Sequence, residues 1–210
     1  MIKLEHYVLS LGFLIGCISY QLGRSIDLKI KEIMGIRQLL QNIKLVLLTG
    51  VLCAIIFYFI HSYYTPPKSS ANFYIFITLL LIISINDYYY LNIRLEYIFI
   101  TFLLQFIISD KVFLKFVFTN IYYTLVLFVL LMTLNKIFME TFGDGDIYVF
   151  SIICLFYGFD FVLKTIYFSI IFGGILSTIL LILNKVNRKD SIPLVPFIFV
   201  SYLICILIYN

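Results

Sequence analysis

The apolar residues of this chain come in long runs rather than in alternation. Uninterrupted runs between charges and breakers give eight segments, at roughly 6–23, 45–64, 73–91, 95–109, 116–135, 147–163, 165–184 and 191–209. Most approach the roughly 20 apolar residues that one transmembrane helix needs. They are apolar all round, whereas barrel strands alternate, and open backbone in lipid would leave N–H and C=O groups unpaired. The expected fold is therefore all-α: a polytopic transmembrane helical bundle of about eight helices, forming a single membrane-embedded domain over 1–210. Connections are short. Only the basic loop 24–44, with Arg24, Lys29, Lys31, Arg37 and Lys44, is long enough to hold a small amphipathic element lying on the membrane. Residues 65–72, with Pro66 and Pro67, read as a tight turn.

Composition agrees and narrows the class. The 210 residues are 63% hydrophobic and 12% charged, far from a soluble domain at roughly 45–50% apolar and about 25% charged. A water-soluble globule is excluded, and the lipid bilayer is the expected surroundings. The net charge of +4 is scattered between apolar runs, a pattern that encodes orientation rather than a nucleic-acid partner. Cys17, Cys53, Cys154 and Cys205 lie inside apolar runs without C-x-x-C spacing and read as small packing residues, so no metal site is expected. One Lys precedes the first run and no A-x-A-like site follows it, so that run is expected as a retained helix. With the N-terminus outside, ten of the 15 Lys and Arg fall on the inner side, which favours both termini outside. The weak link is 95–109, whose uncharged part is only 13 residues; if it does not cross, the count becomes nine against six.

Two acidic positions carry the candidate chemistry. Asp87 is the only charge between Lys68 and Arg94. Seven residues at 1.5 Å each put it about 10 Å inside the interface that Arg94 marks. A carboxylate there costs on the order of 2.5–3.5 kcal/mol by insertion scales, so it reads as a functional group in need of a partner. The plainer alternative is a carboxylate that snorkels or bonds to Ser84 or Asn86. Gly143-Asp144-Gly145-Asp146 opens the sixth segment, where glycines allow close backbone approach and a carboxylate meets unpaired helix N–H groups. By itself that tetrapeptide is also an ordinary capped helix start. If 95–109 crosses, Asp87 and Asp146 fall on the same, cytosolic side. Asp160 with Lys164 is an ordinary i,i+4 pair, and His6 and His61 have no acidic or cysteine cluster around them.

Two carboxylates together in a low-dielectric site share one proton and titrate as a pair. That is the chemistry of an aspartic protease, which needs neither metal nor cofactor. A proton- or cation-coupled transporter can use the same Asp87/Asp146 pair. A non-catalytic scaffold would need neither carboxylate.

Phe142-Gly143-Asp144-Gly145-Asp146 resembles the G-x-G-D motif of intramembrane aspartic proteases, and its setting resembles the type IV prepilin peptidases in particular. Ser151, Cys154 and Gly158 match that family's small residues after the motif. Asp87 stands where the family has its first catalytic aspartate, six residues before Ile93, and Ile192-Pro193-Leu194-Val195-Pro196-Phe197 is similar to its I-P-F-G-P-F segment. Gly12, Gly16 and Ser19 leading to Arg24 match more loosely. The resemblance implies Asp87 and Asp146 as catalytic residues and Gly143 and Gly145 as shaping the site. It also implies prepilin or pseudopilin substrates and a bacterial inner-membrane location with the site facing the cytosol. Tyr148 stands in place of the family's Lys, and Arg94 in place of its Pro. Residues 24–44 lack the two C-x-x-C pairs of many members, so zinc is not expected, and N-methylation of the product with S-adenosylmethionine is left open. Presenilin-like proteases share G-x-G-D but pair it with Tyr-Asp and Pro-Ala-Leu, where this chain has Asn86-Asp87 and no Pro-Ala-Leu. Neither the substrate protein nor the oligomeric state follows from the sequence.

Overall fold

Each of the eight apolar runs is a helix. The computed structural model describes residues 2–25, 36–63, 70–91, 93, 95–109, 111–138, 143–187 and 191–208. Its helices are α1 (Ile2–Ser25), α2 (Ile36–Tyr63), α3 (Ser70–Tyr90), α4 (Leu95–Ile108), α5 (Lys111–Ile137), α6 (Asp144–Tyr157), α7 (Phe159–Ile182) and α8 (Val195–Ile208), with no strand among the described residues. Four of them, α2, α3, α5 and α7, contain apolar stretches of 19 to 25 residues, long enough to cross a membrane. The fold is a helical membrane bundle.

Two boundaries differ most from the hydropathy reading. Helix α2 starts at Ile36, so Arg37 and Lys44 sit on a helix rather than in a loop, while 26–35 and 64–69, with Pro66 and Pro67, lie outside the described residues. The sixth and seventh segments part at Gly158 and not at Lys164. Gly158 has φ +92°, a conformation that a side chain disfavours, and its N–H donates to the Cys154 carbonyl at 2.9 Å to close α6. Asp160 thus lies in the first turn of α7, where a carboxylate complements the helix dipole.

Helix α3 is the inner helix: 61% of its apolar stretch is buried by protein, against 11% for α7. Its Phe76 packs against Tyr157 of α6 and Tyr202 of α8 with ring centroids 5.0 and 5.3 Å apart, joining three helices at the centre. Helix α4 returns antiparallel along α3. The Gln105 side chain donates to the Asn72 carbonyl at 2.6 Å, and the Asn72 amide donates to Ser109 at 3.2 Å, so the end of α4 meets the start of α3. That return brings the end of α3 and the start of α6 to one end of the bundle.

Helices α1 and α2 cross closely through Gly12 and Gly16, a small-x-x-x-small pair. A Cβ on Gly16 would lie 2.6 Å from the Thr49 carbonyl oxygen and 2.8 Å from the Gly50 Cα, both backbone atoms that cannot swing aside. Gly16→Leu is expected to force the helices apart at an overpacking cost of about 1–3 kcal/mol, more than the helix-propensity gain of at most about 1 kcal/mol. A lowered thermal unfolding midpoint in detergent checks this.

Candidate active site

Helices α4, α6 and α8 have 14 residues each. At 1.5 Å per residue they are about 21 Å long, against a hydrocarbon core of about 30 Å. All three begin at one cavity of about 1020 Å³, which the ends of α3 and α5 also line. On its α7 wall sit Gly173 and Gly174; Gly174 is eight residues, about 12 Å, before the end of that helix. The cavity therefore lies beside α7, about 12 Å short of that helix's end.

Asp87 reaches this cavity from the last turn of α3 and is only 6% exposed. Its Oδ2 accepts a hydrogen bond from the Val195 N–H, at 3.1 Å, at the start of α8. A backbone amide far along the chain answers for this carboxyl. Helix α3 ends just beyond. The Leu91 N–H donates to the Asp87 carbonyl at 2.8 Å, and Leu91 adopts φ +50°, a left-handed conformation that costs a non-glycine residue roughly 1–2 kcal/mol. This turn sends the chain to Ile93, which packs on α6.

Asp146 enters from α6 and is 8% exposed. It is the third residue of that helix, and its Oδ2 accepts the Gly143 N–H at 3.1 Å, the carboxylate half of a capping box. Gly143 precedes the helix with φ −65° and leaves room for this contact, since a Cβ there would be 3.1 Å from Asp146 Oδ2. Gly145 has a different task. A Cβ on it would lie 2.7 Å from the Cβ of Ile93, so its bareness lets the α3–α4 connection seat against the first turn of α6. All four residues expected at the site line this one cavity, and the two carboxyl groups are close enough for Asp87 to act electrostatically on Asp146.

The other acidic residues divide. Asp144 is exposed at the cavity wall, with the buried Asn135 of α5 donating to it at 3.4 Å. Asp160 and Lys164 are both exposed on α7, away from the cavity, while Arg94 and Glu140 lie outside the described residues. Three of the four cysteines are buried and the fourth is half-buried, all as free thiols. Tyr148 lines the cavity with its ring 5.8 Å from Phe128. Sequence reasoning missed Asn135, the Gly173–Gly174 wall and the Val195 amide. Asn135 and the glycine pair do interrupt apolar runs and could have been flagged on that ground. A backbone amide leaves no such signal.

The type IV leader peptidase family model matches residues 74–178, half of the chain. The chain belongs to the type IV leader peptidase family. No curated protein and no solved structure matches it. As a member of that family it is a peptidase, and with its long apolar helices a multi-pass membrane protein. The matched stretch runs from α3 into α7 and includes Asp87, Gly143, Gly145 and Asp146, whereas α1, α2 and α8 lie outside it.

The two glycines of the leader peptidase's Gly-Asp-Gly-Asp turn should differ in tolerance. Gly145→Ala is expected to displace Ile93 and lower peptidase activity about tenfold or more, since a misplacement near 1 Å costs on the order of 100-fold. Gly143→Ala asks only for a shift of a few tenths of an ångström by one side-chain oxygen and should cost less. Turnover by the purified variants in detergent measures both.

Proposed function

We propose that this leader peptidase is an intramembrane aspartic endopeptidase with Asp87 and Asp146 as its dyad. It removes the short basic leader from prepilins, or from the pseudopilins of secretion or DNA-uptake machines, at the cytosolic face of the bacterial inner membrane. One observation carries the mechanism. Both carboxyls lie in one cavity, nearly buried, each with one oxygen anchored to a helix-start amide. Charge placement supports the cytosolic face, because ten of the 15 basic residues fall on the side where both aspartates lie in the eight-span topology.

In the proposed reaction one carboxylate takes a proton from a water molecule as the water oxygen attacks the scissile carbonyl. The other carboxyl, protonated, donates a hydrogen bond to the carbonyl oxygen. The roles then exchange as the leaving amine is protonated and the C–N bond breaks. Neither metal nor cofactor enters, and every proton is accounted for by the two side chains and water. Methylation of the new N-terminus is a separate reaction that the dyad chemistry neither requires nor supplies.

Asp87→Asn and Asp146→Asn are each expected to abolish leader removal, a fall of at least about 1000-fold in line with the loss of a unit that acts as a whole. Asp144→Asn and Asp160→Asn are expected to retain it. Co-expression with a prepilin and a gel-shift readout of the mature subunit tests all four, and processing retained in either dyad variant would sink the mechanism. An Asp87-dependent proton flux in vesicles without any cleavage would instead identify the pair as an ion relay.

A further inference from the structure

Helix α8 has no capping side chain of its own. Its first helical residue is Val195, and the preceding position, where Ser, Thr, Asp or Asn would ordinarily accept first-turn amides, is Leu194. The N–H groups of Phe197 and Ile198 donate to the Leu194 carbonyl at 2.9 and 3.1 Å, so the helical bonding begins there. Pro196 has no N–H to offer. The Val195 amide is left as the donor of that turn, buried among apolar side chains, and an unpaired buried donor is costly. Its acceptor is Asp87, 108 residues earlier and on a different helix.

We propose that the first turn of α8 is a positioning element for Asp87, the Val195 N–H holding Oδ2 so that Oδ1 is the oxygen presented to a scissile bond. This deepens the dyad reading and rests on it. Asp146 is held in the same fashion, by its Oδ2 on the Gly143 amide, although its donor directly precedes its own helix. Both carboxyls are thus stopped from rotating about the Cβ–Cγ bond by backbone groups, which cannot change rotamer. The assignment gives α8, which lies outside the stretch matched by the family model, a direct part in the chemistry. It also gives Pro193 and Pro196 a reason to flank the donor: they restrict the backbone on either side of it and remove a competing N–H.

Val195→Pro deletes this amide hydrogen with little other disturbance. At the first helical position proline's fixed φ already fits, and its missing N–H is one that the helix itself does not use. Val195→Ala is the counterpart that keeps the amide and removes only packing. The expected result is that Val195→Pro lowers kcat about tenfold or more, the scale of a charge-assisted hydrogen bond, with KM little changed, and that Val195→Ala lowers kcat less. A kcat for Val195→Pro no lower than that of Val195→Ala overturns the proposal. Amide hydrogen exchange in the first turn of α8 tests the same bond without any turnover. Asp87→Asn keeps an acceptor oxygen and Asp87→Ala does not, so exchange at Val195 should be at least about tenfold faster in Asp87→Ala; equal rates overturn the proposal even if Val195→Pro fails to fold. The two readings fail separately: processing by Asp87→Asn sinks the dyad, whereas equal exchange sinks only the α8 contact.

Discussion

A carboxylate inside an apolar bundle must find donors, and in this peptidase helix starts supply them. The first amides of any α-helix have no partner within the helix. Asp87 answers one of these at the start of α8 and Asp146 answers one at the start of α6. Each contact satisfies two needs at once, a buried acid's and a helix terminus's, which is why neither requires a basic residue nearby. No Lys or Arg lines the cavity among the described residues. The location of α8 follows from this: its first turn must lie against the last turn of α3, so the residues after α7 have to bring Val195 back to the cavity before the helix can begin.

Helix length does the remaining shaping. At 14 residues α4, α6 and α8 stop short, and the depth they leave is where both aspartates lie. The α3–α4 connection has to pass through the same space. It does so through the left-handed turn at Leu91 and the contact of Ile93 on Gly145, so one bare glycine sets how near that connection comes to α6. Backbone strain at Leu91 sits four residues from Asp87, in keeping with the tendency of strained residues to gather where a site demands an unusual path.

Much of this was legible in the residues. A lone carboxylate in an apolar run, a Gly-Asp-Gly-Asp turn at the start of another, and two helices between them pointed to pairing Asp87 with Asp146. The short stretch 95–109 left that pairing undecided on charge alone, and the Gln105–Asn72–Ser109 contacts are what align α4 along α3. Hydropathy misplaced the α6–α7 break because it registers charge and broke the run at Lys164; the chain turns at Gly158, for a backbone reason that hydropathy does not register. It began α2 late for the same cause, since Arg37 and Lys44 looked like loop residues while lying on a helix.

Side-chain chemistry and the order of segments are local properties, so the sequence by itself determined the all-helical membrane class, the acids placed in apolar surroundings and the glycines able to yield space. What holds the acids is not local. The donor to Asp87 is a main-chain N–H of a valine, identical in kind to every other amide in the chain, and only the packing of α3 on α8 selects it. The cavity likewise has no sequence of its own, because it is the space left where three helices begin too deep to fill the bundle and α7 passes with glycines on its wall. Those features belong to the tertiary structure for one physical reason: they depend on which backbone amide comes within about 3 Å of which carboxyl across more than a hundred residues, and residue type does not encode that distance.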